Sequence, residues 1–219
     1  PGHRSFANAT HQTPREFTPG EPGEVFPLDL ELRLIADIGL VGLPNAGKSS
    51  LLARLSAATP RIADYPFTTL TPQLGLMAGP RHTSLVLADI PGLIAGAHRG
   101  AGLGHEFLRH IERTRVLAHV VDLVPADGSD PLENVRVIDE ELARFSSGLA
   151  RRPRILVGNK LDLTGAAAAA AALAEALACP VVRVSAATGD GLEALRQACF
   201  AACGEVDALT PLPCERRSP

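Results

Sequence analysis

The chain has 219 residues, 46% hydrophobic and 21% charged, the proportions of one ordinary globular domain with extra length at its ends. With 21 Lys and Arg against 24 Asp and Glu the formal charge is -3, so the bulk balance calls for neither a polyanion nor an anionic membrane as partner. Glu175 interrupts even the alanine-rich stretch near residue 170, no apolar run reaches the roughly eighteen residues of a spanning helix, and no membrane span is expected.

The chain opens on Pro1 with no basic segment leading into an apolar one, so no signal peptide is expected and the sequence reads as a fragment. Residues 1–30 are rich in Pro, Gly, Thr and charge, including Thr18-Pro19-Gly20-Glu21-Pro22-Gly23, and predict loop with short strand. Leu30, Leu32 and Leu34 then alternate with Glu31 and Arg33, and the apolar run 35–41 ends at Gly42, which predicts a buried strand. Shorter apolar runs at 84–88, 116–123, 154–157 and 181–184 predict further strands. Helices are predicted over 47–55, 104–115, 132–149, 166–178 and 191–203, the fourth from the propensity of an unbroken alanine run at 166–172. Strands alternating with helices imply an α/β three-layer sandwich whose central sheet is mainly parallel, with right-handed crossovers. The tail from Gly204 carries prolines and Arg216-Arg217 and is predicted to be flexible. Cys179, Cys199, Cys203 and Cys214 lack the paired spacing of a zinc site and read as free or buried thiols of a reducing cytoplasm.

Four motifs follow four of these strands. Gly42-Leu43-Pro44-Asn45-Ala46-Gly47-Lys48-Ser49 fits G-x-x-x-x-G-K-[ST] between the first buried strand and the first helix, with Ser50 next to it in the candidate site. In such a loop, backbone N–H groups and a helix N-terminus surround phosphate oxygens. Gly42 and Gly47 permit the tight backbone, Lys48 reaches the β and γ phosphates, and Ser49 can ligate Mg²⁺. Asp89-Ile90-Pro91-Gly92 offers a carboxylate that can hold Mg²⁺ through water and a Gly92 amide for a γ-phosphate, although a D-x-P-G turn alone also serves ordinary loops. Asn159-Lys160-Leu161-Asp162 discriminates bases: the Asp162 carboxylate accepts from guanine N1–H and the exocyclic amine, a pair that adenine lacks. Asn159 can tie this loop to the phosphate loop. Ser185-Ala186-Ala187 is a small-residue turn through which a backbone N–H can approach the guanine carbonyl. Four such motifs at the C-terminal ends of parallel strands predict a nucleotide site, and Asp162 argues against an ATPase or kinase.

This motif set resembles that of the Ras-like guanine-nucleotide-binding domain. Three further stretches narrow the resemblance: Asp64-Tyr65-Pro66-Phe67-Thr68-Thr69-Leu70, the lead-in from Leu30 to Asp37, and residues 102–115 are similar to the Obg (CgtA) family of bacterial and organellar GTPases. The similarity runs from about residue 6 to residue 204. It implies a Ras-like P-loop GTPase fold and hydrolysis of GTP to GDP and phosphate with Mg²⁺. It also implies a role in assembly of the large ribosomal subunit, by a monomer in the cytoplasm. Thr69 is then the switch I threonine closing on Mg²⁺ and the γ-phosphate, Phe67, Thr68, Thr69, Leu70 and Thr71 form the effector segment, and Lys48, Thr69 and Gly92 carry catalysis. Mg²⁺ ligands are Ser49, Thr69 and, through water, Asp89. Asn45 matches an asparagine that binds K⁺ in some related GTPases, the alternative being a side chain that only stabilises its tight loop.

Leu93 stands where Ras-like proteins carry a water-orienting glutamine; its side chain forms no hydrogen bond, so slow intrinsic hydrolysis is expected. By the same resemblance residues 1–30 are the end of a glycine-rich β domain, 31–204 the GTPase domain and 205–219 a tail. The charged segment 104–115 reads either as a solvated helix or as a ribosomal contact. A second functional class stays open, a nucleotide-responsive binding module in which hydrolysis only resets partner affinity.

Overall fold

The computed structural model describes Gln12 and residues 36–57, 61–62, 73–80, 83–89 and 114–209. The chain divides into the units Pro1–Leu32 and Arg33–Pro219, and the fold below is that of the second.

The apolar run expected as the first strand forms β1 over Ile38–Val41, buried along its whole length. Seven strands among the described residues make one sheet: β1, β2 (Arg61–Ile62), β3 (Gln73–Ala78), β4 (Ser84–Asp89), β5 (Val116–Asp122), β6 (Arg154–Asn159) and β7 (Val181–Arg183). Their order is β2-β3-β4-β1-β5-β6-β7. β1 runs parallel to both neighbours, and β5, β6 and β7 continue the parallel set; β3 is antiparallel to β2 and β4. Strands buried on both faces need apolar residues at successive positions, which is why the central runs could be read from the sequence.

The helices are α1 (Lys48–Leu55), α2 (Pro131–Phe145), α3 (Ser147–Ala150), α4 (Ala166–Leu177) and α5 (Leu192–Leu209). On one face of the sheet Leu51, Leu52 and Leu55 of α1 and Leu195, Cys199 and Cys203 of α5 join Ile38, Leu40 and Val120 in one core. On the other, Val135 of α2 and Ala166, Ala170 and Leu173 of α4 pack on Val121 and Leu156. The three-layer sandwich expected from the sequence is therefore present. Burial pushes the Cys199 thiol up to about 12, which leaves it an inert packing group.

Three local expectations are corrected, and a fourth falls largely outside the described residues. Strand β3 was not foreseen, because Gly75 interrupts its apolar pattern. That glycine lies under α1, where a Cβ would stand 2.9 Å from Leu52 Cδ1 and 3.1 Å from Ser56 Cβ. The single helix expected over 132–149 is two: Ser146 has extended backbone and its hydroxyl accepts from the Gly148 N–H, a local bond that competes with helix continuation. At the N-terminus of α2, Asp130 caps Leu132 N–H and Pro131 opens the helix. The last helix does not stop at Cys203 but runs to Leu209, so residues 205–209 of the expected tail are helical. A glycine at 204 costs a helix only about 1 kcal/mol, and the first proline that forbids continuation is Pro211. The helix expected over 104–115 falls outside the described residues except for Thr114 and Arg115, and Arg115 lies in the bend before β5.

At the end of the sheet opposite the motifs, Asp37 joins three strands. Its carboxylate accepts from Val86 N–H at 2.8 Å and from the Arg115 guanidinium at 3.1 Å, and its carbonyl accepts from the N–H groups of Arg115 and Val116. Arg115 also donates to the Cys203 carbonyl at 2.9 Å, so the same pair reaches α5. These partly buried charges are paired with each other and with backbone groups, which offsets the cost of removing them from water.

His119 on β5 is 1% exposed, and burial, aided by the charges of Arg154 and Lys48, pushes its imidazole down to about 3. Asp139 lies 3.8 Å from Nδ1 but is itself paired with Arg154, so it does not offset the burial. The folded protein holds His119 neutral while the unfolded chain protonates it near the ordinary value of 6.5. Its contribution is fully present above about pH 6.5 and is lost as pH falls towards 3. Urea unfolding midpoints measured from neutral to acid pH should fall for the wild type, and His119→Leu should flatten that part of the profile.

Candidate functional site

The register sets the C-terminal ends of four parallel strands along one edge: Leu40 pairs with Asp89, Val41 with His119, and Asp122 with Asn159. The phosphate loop leaves β1 at Gly42, whose added Cβ would stand 2.2 Å from the Val120 carbonyl oxygen, so only hydrogen fits where the loop passes β5. Asn45 (φ 64°) and Gly47 (φ 92°) turn left-handed and deliver the chain into α1 at Lys48. Gly47 supplies no side-chain cap, which leaves the first-turn N–H groups of α1 to an incoming anion.

Lys48 folds back over its own loop, donating to the carbonyls of Gly42 at 2.8 Å and Leu43 at 3.0 Å. Burial lowers its pKa and the Asp89 charge opposes that shift. Burial likewise raises the carboxyl of Asp89, opposed by Lys48. Asp89 is 8% exposed, and its Oδ1 is a buried oxygen without a hydrogen-bond partner among the described residues. Such an oxygen is costly to leave bare and suits a cation or its water.

The base-side loops are fastened to the phosphate loop by one side chain. Asn159 Nδ2 donates to the Ala46 carbonyl at 2.8 Å, and its Oδ1 accepts from Ala186 N–H at 3.1 Å. Asp162 Oδ1 accepts from the Ser185 hydroxyl at 2.5 Å, and that hydroxyl also accepts from Thr188 N–H at 3.1 Å. Lys160, at φ 68°, sends its ammonium to Asp122 Oδ2 at 2.5 Å. A cavity of about 340 Å³ is bordered by Asn45, Gly47, Ser50, Asn159, Lys160, Asp162, Leu163, Ala186 and Ala187. A second, of about 180 Å³, lies between the phosphate loop, His119, Asp122 and Asn134, and shares Asn45 and Lys160 with the first.

Residues 42–50, Asp89, Asn159, Lys160, Leu161, Asp162, Ser185, Ala186 and Ala187 thus gather at the strand ends as the sequence suggested. Phe67, Thr68, Thr69, Leu70, Thr71, Ile90, Pro91, Gly92 and Leu93 lie outside the described residues. One residue escaped the sequence reading: Asp122, which partners Lys160. Its signal was available, since like Asp89 it is the acid that ends an apolar strand run.

The description of a 50S ribosome-binding GTPase family matches residues 37–160, from the Asp37 bridge through Lys160. GTPase Obg of Solibacter usitatus is 52% identical over 200 residues, covering 90% of this chain and 59% of that protein. GTPase Obg of Desulforudis audaxviator is 55% identical over 196 residues, covering 89% and 46%. The chain belongs to the Obg family of GTPases. It spans about half to three-fifths of the length of these Obg relatives. Among solved structures, the G domain of the T. maritima FeoB iron transporter superposes with a TM-score of 0.54 at 23% identity, covering 75% of this chain and 96% of that one. At that identity the likeness speaks for the fold alone, which is the Ras-like P-loop GTPase fold.

Gly47 tests how tightly the loops are joined. An alanine Cβ there would stand 2.2 Å from Asn159 Nδ2, whereas Gly128, also at positive φ (73°), has nothing within 4 Å. Gly128→Ala should therefore cost about 1 kcal/mol of backbone strain. Gly47→Ala should cost about 3 kcal/mol, because Asn159 must also be displaced. Urea denaturation of the two variants checks the difference.

Proposed function

We propose that this chain binds GTP and GDP in the larger cavity and hydrolyses GTP to GDP and phosphate, as the GTPase portion of a longer Obg protein. The observation that carries the reading is the Asn159 bridge: the loop bearing Lys48 and the loop bearing Asp162 border one cavity because a single amide holds both. Asp162, held by Ser185, would read guanine N1–H and the exocyclic amine, and Ala186 and Ala187 would offer backbone N–H groups to the carbonyl. On triphosphate binding, Lys48 would exchange the carbonyls of Gly42 and Leu43 for β and γ oxygens, while the N–H groups of α1 surround the phosphates.

The bare Oδ1 of Asp89 fits a site for Mg²⁺ held with Ser49 and Thr69, Asp89 acting through water. When bound, Mg²⁺ neutralises charge on the β and γ phosphates. Thr69 would close on the γ-phosphate and Gly92 would donate its amide to it, so catalysis would rest on positioning and electrostatics rather than a covalent intermediate. Asn45 is the candidate K⁺ ligand, and turnover compared in K⁺ and Na⁺ tests it. Residues 1–30 would end a preceding glycine-rich β domain, and the whole protein would act in the cytoplasm, as a monomer, on the large ribosomal subunit. The family's description supports the ribosomal part of this reading.

A second reading, a binding switch with negligible turnover until a partner activates it, is favoured by Leu93, which offers no group to orient water. Turnover with and without large ribosomal subunits separates the two readings.

Base recognition is tested by Asp162→Asn. Its oxygen can keep the Ser185 bond while its amide faces the base, where it repels the guanine amine and meets the 2-carbonyl of xanthine. Affinity for GDP and GTP should fall about 10- to 100-fold, the loss of one or two bonds to a charged acceptor, and xanthine nucleotides should gain. Unchanged GDP affinity in a calorimetric titration would remove Asp162 from the base site.

A further inference from the structure

We propose that Asp122 is a positioning residue for nucleotide binding, holding the Lys160 side chain across the cleft so that it forms a ready-made wall of the base cavity. The inference rests on the guanine-nucleotide reading above and adds a residue to it.

Asp122 ends β5 directly beside Asn159, which ends β6. Its two oxygens do different work. Oδ1 accepts from Val124 N–H at 3.0 Å, which fixes the carboxylate relative to its own turn. Oδ2 accepts from the Lys160 ammonium at 2.5 Å. The Asp122 side chain is 13% exposed and that of Lys160 32%, so the contact is screened less than a surface pair.

The Lys160 backbone is pinned independently: its left-handed φ of 68° is held between Leu161 N–H to the Val184 carbonyl and Leu163 N–H to the Lys160 carbonyl. With the backbone set by these bonds and the ammonium set by Asp122, the four-carbon stem is fixed at both ends. Lys160 borders the cavity that Asp162 borders, and it also borders the smaller cavity behind the phosphate loop. A lysine freed at its tip would regain rotamer freedom and would have to be ordered by the nucleotide instead. The cost appears as lost affinity even though Asp122 is absent from the residues bordering the larger cavity.

Asp122→Asn separates this role from that of the turn. The asparagine oxygen keeps the Val124 bond, while the amide that replaces Oδ2 cannot accept from an ammonium. Binding of N-methylanthraniloyl-GDP, with GDP and GTP as competitors, is measured for the wild-type chain, Asp122→Asn, Lys160→Met and the double variant, and urea midpoints are measured on all four. The expected result is a loss of about tenfold for Asp122→Asn, equal for GDP and GTP because no phosphate contact is touched. In the Lys160→Met background the same substitution should change affinity by less than about twofold. A tenfold loss that persists without Lys160 would assign Asp122 to the fold of its turn and overturn the proposal, as would wild-type affinity in Asp122→Asn. A wild-type chain that binds no guanine nucleotide would overturn the underlying reading as well, an outcome distinct from both.

Discussion

The amide of Asn159 is 2% exposed, and each of its ends is committed to a loop other than its own. A buried amide offers both donors and an acceptor and must satisfy them, so its surroundings are set by its chemistry. Here the donor fixes the phosphate loop at Ala46 and the acceptor fixes the turn after β7 at Ala186, while the Asn159 carbonyl accepts from Leu123 N–H beyond β5. Three strand ends and the first helix are thereby brought to one geometry. The glycine at 47 is a consequence of this arrangement, since the amide occupies the space a side chain would need.

Charge is arranged around this neutral bridge. Lys48 and Asp89 face each other at the phosphate side, each desolvated and each partly compensated by the other. Lys160 and Asp122 form a second pair at the base side. Neither lysine is left to solvent alone: one rests on carbonyl oxygens and the other on a carboxylate. Both ammonium groups are thus already ordered by oxygens of the fold before any ligand is present. Opposite, the Asp37 and Arg115 pair bridges β1, β4, β5 and α5.

The parallel strands and the nucleotide-type motifs were legible because each rests on a local pattern. Apolar runs mark strands buried on both faces, and glycines, lysine and serine at fixed spacing mark the loop between strand and helix. What escaped was set partly at long range and partly by local details that the periodic pattern does not carry. Strand β3 carries a glycine that only the packing of α1 explains. The helix over 132–149 divides at a serine whose bond to Gly148 competes with the helical ladder, and α5 outlasts Gly204 because proline comes only at Pro211. Asp122 looked like any acid at the end of a strand, and its partner lies 38 residues further along the chain.

Strand order also has a consequence for how the protein is made. β1 is the earliest of the seven strands, yet both its neighbours are synthesised well after it: β4 begins at Ser84 and β5 at Val116. The bond that closes the phosphate loop waits longer still, since Asn159 follows Ala46 by 113 residues. The G-x-x-x-x-G-K-S segment is therefore made more than a hundred residues before the amide that fastens it. The geometry that this bond gives the loop requires the C-terminal half of the sheet to have docked. In this fold the loop nearest the start of the sheet is fastened by one of the residues furthest along it.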